Sequence, residues 1–217
     1  MKRGLESKIR TLVERESRSQ AMDEWSEFFR TMDLPLFNYR FDHVLQVVRI
    51  AKYLAEETSA NVDVVVMAAW FHDIDRPGID NPPTPLPHGV GGAERAREFL
   101  LGEGVDSATV ERVCDAIRKH PGYTLKAPLE PLEAQIVWEA DKLTKVGLVQ
   151  TVRSIILSTR YEPNPTMEGI LEQVRKALPQ LREIVASMHT EPAKRLAKAW
   201  IQNIEFFINK LEGELNL

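Results

Sequence analysis

Cysteine is nearly absent from this chain: 217 residues hold one, Cys114. A single thiol excludes an intrachain disulfide and a Cys-based zinc site, and it suits a reducing compartment. Long apolar runs are missing too. The most apolar stretch, Val64–Phe71, covers eight residues, whereas a membrane helix needs about 20. The first 30 residues carry 13 charges, which leaves no apolar signal-peptide core. The expectation is a cytoplasmic protein with no membrane partner. Positive charge is not in excess: 28 Lys+Arg stand against 32 Asp+Glu, a formal net charge of −4. Without a basic footprint, nucleic acid is not an expected partner. Aromatics make up 7%, and Trp25, Trp70, Trp138 and Trp200 are read as core residues, not base-stacking platforms. What remains is 43% hydrophobic and 28% charged, ordinary for a globular chain of this length and enough for one sizeable core.

Helical periodicity dominates. Residues 5–32 space Leu5, Ile9, Leu12, Val13, Met22, Trp25, Phe28, Phe29 and Met32 in a broadly helical way. His43, Val47, Ile50 and Leu54 form a cleaner stripe over 40–57. Asn61 is placed to cap a buried helix running to about Ile74. Five prolines between 77 and 87 exclude a helix there, since proline fixes φ and lacks the N–H. The spacing then predicts helices over 89–101, from a cap at Asp106 to before Pro121, from Pro131 to about Thr159, and over 166–189 and 191–213. A loop is expected over 121–130. No strand pair, repeat or low-complexity tract interrupts this. The fold class is all-α: a single-domain helical bundle over 1–217, of about seven to nine helices.

The histidines carry the chemistry. His43 sits on an apolar stripe, His72 and Asp73 follow the buried run, His88 opens the fourth helix and His120 ends the fifth. Asp141 lies inside the sixth helix. Each alone reads more readily as a hydrogen-bonded core, ion-paired or capping residue than as a ligand; together they are a set of imidazole and carboxylate ligands. Adjacent side chains on a regular helix point about 100° apart. His72 and Asp73 therefore serve one ion only near a helix end, and Pro77 and Gly78 place one close behind.

This arrangement resembles the HD superfamily of metal-dependent phosphohydrolases. The match is carried by His43 in FDHVLQVVRIAKYLA, His72-Asp73 in AAWFHDI, His88 in HGVGGAERAREFL, His120 in VCDAIRKHPG and Asp141 in EADKL, over roughly 38–150. The resemblance implies a metal held by His43, His72, Asp73 and Asp141. In two-metal members, positions matching His88 and His120 hold the second ion and Asp73 bridges; in single-metal members they face the substrate phosphate. One or two ions, and Mn, Zn, Fe, Co, Ni or Mg, stay open. Asp75 departs from the Gly many members carry there.

The reaction the resemblance implies is hydrolysis of a nucleotide or another small phosphorylated metabolite. Asp73, His88, His120 and Arg76 are the residues expected to take part. Arg76 suits a phosphate through its planar fork. His88 or His120, where not on metal, suits protonation of a leaving oxygen. Lys142 and Lys145 are further basic candidates, each equally readable as a solvated or ion-paired surface residue. Two alternatives accompany this: a di-iron oxygenase of the same superfamily, and a non-catalytic regulatory module. Nothing in the pattern sets the oligomeric state.

Overall fold

The computed structural model describes residues 4–25, 38–77, 87–158 and 166–216. Among them are nine helices and no strand: α1 (Leu5–Trp25), α2 (Tyr39–Glu56), α3 (Val62–Phe71), α4 (His88–Gly102), α5 (Ser107–Lys119), α6 (Leu132–Val146), α7 (Leu148–Ser158), α8 (Met167–Ala186) and α9 (Glu191–Leu215). The all-α class holds. No described helix is long and apolar enough to cross a membrane. The end of the expected first helix, with Phe28, Phe29 and Met32, falls outside the described residues, as do 78–86 of the proline segment and the turn near Pro163 and Pro165.

The chain divides into two compact units, residues 1–121 with 129–141, and residues 122–128 with 142–217. In the first, α3 is the central element and packs against α1, α2, α4 and α5. Its sequence, VDVVVMAAWF, explains why: every residue from Val64 to Phe71 is buried, so the helix has no polar face to give to water. Side-chain caps start the helices where the sequence offers them. Asn61 accepts from the Val64 amide and Asp106 from the Thr109 amide, each interaction worth about 1 kcal/mol. The helix after Asn61 ends at Phe71, three residues before the expected Ile74, and a turn over 72–75 follows.

In the second unit α8 and α9 pair through Leu171, Ile204 and Ile208, extended by Val174, Leu178 and Leu211, and α7 lies against α9. The long helix expected from Pro131 to Thr159 is two helices, broken at Gly147. A Cβ there would stand 3.2 Å from the Trp200 ring. The break is thus a close approach of backbone to an indole.

Candidate metal centre

The first unit brings four helix ends to one place. His43 is five residues past the Asn38 cap of α2. His72 is the C-cap of α3 and keeps helical φ and ψ of −51° and −41°; Asp73 stands in the turn after it, as the doublet's spacing requires. His88 is the first residue of α4, and His120 is the C-cap of α5. Asp141 comes from α6.

Glycines let these ends meet. A Cβ on Gly89 would lie 2.9 Å from Pro121 and 3.1 Å from the Ile117 carbonyl. One on Gly92 would lie 3.3 Å from the Phe71 carbonyl, and one on Gly91 only 1.9 Å from Asp75 Oδ2. The first turn of α4 therefore rests backbone-first on the ends of α3 and α5, and His88 is carried with it. Asp75 fills the space that a side chain at 91 would need.

Asp73 is the hub. Its Oδ2 is 3.6 Å from both His43 Nε2 and His72 Nε2. Its Oδ1 is 3.5 Å from His120 Nε2 and 3.8 Å from His88 Nε2. His43 Nε2 lies 3.3 Å from Asp141 Oδ1 and 3.3 Å from His72 Nε2. The side chains sort into two groups of mutually close ligand atoms, His43–His72–Asp73 and Asp73–His88–His120. These separations decide the chemistry. Two donors at about 2.1 Å from one ion, at a tetrahedral angle, stand about 3.4 Å apart. The observed 3.3–3.8 Å spacings match that figure, and the longer ones are too long for good hydrogen bonds. The donor set fits a divalent cation in the first group, with Asp141 beside it, and fits a second cation in the other.

The far sides of two rings are fixed by their own helices. His72 Nδ1–H donates to the Ala69 carbonyl at 2.8 Å, and His120 Nδ1–H to the Ile117 carbonyl at 2.6 Å. Both bonds turn Nε2 inward toward the Asp73 carboxylate, the orientation a metal ligand needs.

A sequence model of the HD domain matches residues 40–145, the stretch that supplies all six of these side chains. The chain is an HD-domain protein. Solved structures share its fold. A predicted HD superfamily hydrolase from an uncultured Thermotogales bacterium superposes with a TM-score of 0.65 at 23% identity, over 99% of this chain and 96% of that one. YpgQ of Bacillus subtilis in complex with ADP gives 0.67 at 21%, over 96% and 97%. An HD-superfamily hydrolase from Bacillus thuringiensis gives 0.64 at 18%, over 97% of each. At these identities the likeness is one of fold. Among curated proteins, a tRNA (cytidine(56)-2'-O)-methyltransferase of Thermoplasma volcanium is 30% identical over 119 residues, 49% of this chain; the chain spans 32% of that relative's length. The HD domain carries a His/Asp cluster compatible with a divalent metal.

The electrostatics of the HD domain follow from burial. Desolvation pushes the His72 pKa down to about 3, against the pull of Asp73 and Asp141; the ring is neutral at pH 7, as a ligand must be. For Asp73, burial opposes ionisation, but the rings of His72 and His120 and the Arg76 guanidinium hold its carboxyl well below the usual range. Arg76 Nη1 donates to Asp73 Oδ2 at 2.9 Å, with the Arg76 side chain 43% exposed. The expected phosphate clamp thus stands on the shared carboxylate at the rim.

One contributor was not foreseen from the sequence. Arg40 is buried and donates to the Arg76 carbonyl at 3.2 Å and the Pro77 carbonyl at 3.0 Å. It pins the segment leaving the doublet. The only hint was its place one turn before His43 on the inward face of α2. Of the other basic candidates, Lys142 is buried, contrary to its reading as a solvated surface residue, and Lys145 is half-buried. Cys114 is buried with its Sγ 3.2 Å from the Ala93 carbonyl, and burial raises its pKa; it is a core residue. His189 stands in the second unit between α8 and α9.

Proposed function

We propose that this HD-domain protein is a metal-dependent phosphohydrolase acting on a nucleotide or other small phosphorylated metabolite. The observation that carries the reading is the two-sided Asp73, whose Oδ2 faces His43 and His72 and whose Oδ1 faces His88 and His120. A carboxylate so shared, with Asp141 beside it, is a site for cations, and these are the ligand types of phosphoryl-transfer metals. The ADP complex of YpgQ supports a nucleotide as the substrate class.

His43, His72, Asp73 and Asp141 would hold one ion, and His88 and His120, sharing Asp73, a second. A divalent cation there supplies an activated water at neutral pH and polarises a phosphoryl oxygen. The chain's own side chains do the rest. Burial of His43, His72, His120 and Asp141 keeps bulk water from the inner wall. His88, 30% exposed, stands where substrate enters and, when off metal, is the proton donor to the leaving oxygen. Arg76, at the rim on Asp73, neutralises developing negative charge on the phosphate.

The same two-sided carboxylate also suits a di-iron oxygenase, so metal identity is the discriminating observation. The test is elemental analysis of protein purified without chelator, followed by a phosphate-release screen over nucleotides and sugar phosphates. A stoichiometric divalent metal and phosphate release on at least one substrate are expected. A mixed-valent iron pair without phosphate release would overturn the reading in favour of the oxygenase.

A further inference from the structure

The turn that follows the His72-Asp73 doublet is gripped by two side chains from other helices. Arg40 is the second residue of α2, and Gln20 stands on α1. Arg40 Nη1 donates to the Arg76 carbonyl at 3.2 Å and to Gln20 Oε1 at 3.3 Å, and its Nη2 donates to the Pro77 carbonyl at 3.0 Å. Gln20 Nε2 reaches the Ile74 carbonyl at 3.4 Å. Each Nη carries two hydrogens, so Nη1 serves both of its acceptors without dividing a proton between them. The Gln20 amide is oriented by the same bonds, its oxygen toward the guanidinium and its nitrogen toward the turn.

These bonds fix backbone. Ile74 N–H donates to the Phe71 carbonyl and Arg76 N–H to the Asp73 carbonyl, both at 3.1 Å. The carbonyls of the same two residues are the ones Gln20 and Arg40 take. Ile74 and Arg76 are thus held at both main-chain ends, in a stretch past the end of α3 where no helical ladder supplies acceptors with donors. Arg76 has the most to gain from this. Its side chain is long and 43% exposed, so it has much rotamer freedom to lose on being ordered. With its main chain fixed, only the side-chain torsions remain to be set for Nη1 to meet Asp73 Oδ2 at 2.9 Å. The residue type at 40 matters for the same reason. A guanidinium spreads its donors over two nitrogens in one plane and so spans two consecutive carbonyls, whereas a lysine brings one compact ammonium.

We infer that Arg40 and Gln20 are positioning residues for Arg76, which makes α1, a helix supplying none of the six candidate ligands, part of the working site. The kinetic consequence rests on the phosphohydrolase reading; the anchoring of the turn rests on the hydrogen bonds alone. Two measurements on the full-length, Mn²⁺-loaded protein keep these apart. The first is a double-mutant cycle of Arg40→Ala and Arg76→Ala, read as kcat/KM on the substrate that the nucleotide and sugar-phosphate screen yields. Arg40→Ala should lower kcat/KM severalfold, by no more than the roughly tenfold expected of Arg76→Ala, and should cost nothing further once Arg76 is alanine, because groups that act as one unit are not additive. Arg40→Lys should recover part. A loss of equal size with and without Arg76, or no loss at all, overturns the inference. The second measurement needs no turnover. Amide hydrogen exchange at Arg76 should be at least about threefold faster in Arg40→Ala, and at Ile74 in Gln20→Ala, while the Val110 amide, bonded to the Asp106 carbonyl at the start of α5, keeps its rate. Unchanged exchange at Arg76 and Ile74, or exchange raised alike at Val110, overturns the anchoring. Should Arg40→Ala not fold, Gln20→Ala takes its place in the cycle. A parent protein that releases phosphate from no compound in the screen sinks the phosphohydrolase reading, and exchange alone then decides whether the two side chains anchor the turn.

Discussion

Replacing Gly91 by Ala tests how the candidate metal centre is assembled. The added Cβ would stand 1.9 Å from Asp75 Oδ2 and 2.7 Å from its Cγ, but 3.4 Å from its Cβ. The first two distances are impossible contacts; the third is an ordinary one. Relieving the overlap should cost about 1–3 kcal/mol, the range for overpacking. Alanine is the better helix former by about 0.5–1 kcal/mol, so Gly91→Ala alone should destabilise by up to about 2.5 kcal/mol. With Asp75→Ala present the clashing atoms are gone and only the helical gain remains, so the same change should stabilise. The sign reversal amounts to a coupling of roughly 1–3 kcal/mol. Thermal melts of the four proteins read it at about 2–4 °C per kcal/mol for a chain of this size. Phosphate release should fall in Gly91→Ala and recover in the double variant, because His88 lies three residues before Gly91 on α4 and moves with it. Effects that add within about 0.3–0.5 kcal/mol would refute the claim that Asp75 and Gly91 set the seat of this helix.

Three further outcomes are expected. Asp73→Ala should lose metal and activity while far-UV circular dichroism stays helical; retained metal stoichiometry and turnover would sink the ligand assignment. Arg76→Ala should keep its metal and lower kcat/KM about tenfold, about 1.4 kcal/mol, because a partly exposed ion pair on Asp73 is screened by water; Arg76→Lys should recover part, and unchanged kinetics would remove Arg76 from the mechanism. Metal-free protein should weaken on acidification. The unfolded His72 takes a proton below about pH 6.5, whereas the folded one does not until about 3. Stability is therefore full above 6.5 and falls between 6.5 and 3, by about 2 kcal/mol at pH 5 from this residue. Melting temperatures in chelator from pH 7.5 to 5 check it, and a flat profile in that window contradicts a neutral buried His72.

The parts of this molecule that were legible in its sequence are those whose cause is local. Asn61 and Asp106 cap the helices they precede because a side-chain oxygen and an amide three residues on are all the interaction needs. The gathering of these His and Asp side chains was legible because imidazole and carboxylate groups at helix ends have few other uses together. The break at Gly147 was not, since one glycine among good helix formers costs only about 1 kcal/mol and its partner, Trp200, is far along the chain. Arg40 was hidden for a related reason: it holds carbonyl oxygens of Arg76 and Pro77, and a carbonyl has no letter in the sequence. The glycines after His88 were visible as small residues, but their purpose depends on Asp75, Pro121 and the ends of two other helices.

His72 and His120 each hang by Nδ1 from a carbonyl one turn back in the helix they terminate. Helix ends are where a fold opens first and most cheaply. Each ring is therefore oriented only while the last turn of its helix is closed, and fraying of α3 or α5 would release an Nε2 from its aim. Ion binding and end-fraying are then competing equilibria of the same few residues. Amide hydrogen exchange becomes a direct reporter of the centre: the amides of Ile74 and His120, bonded to the Phe71 and Ile117 carbonyls, should exchange more slowly once an ion is added, in a protein that need not turn over any substrate to show it.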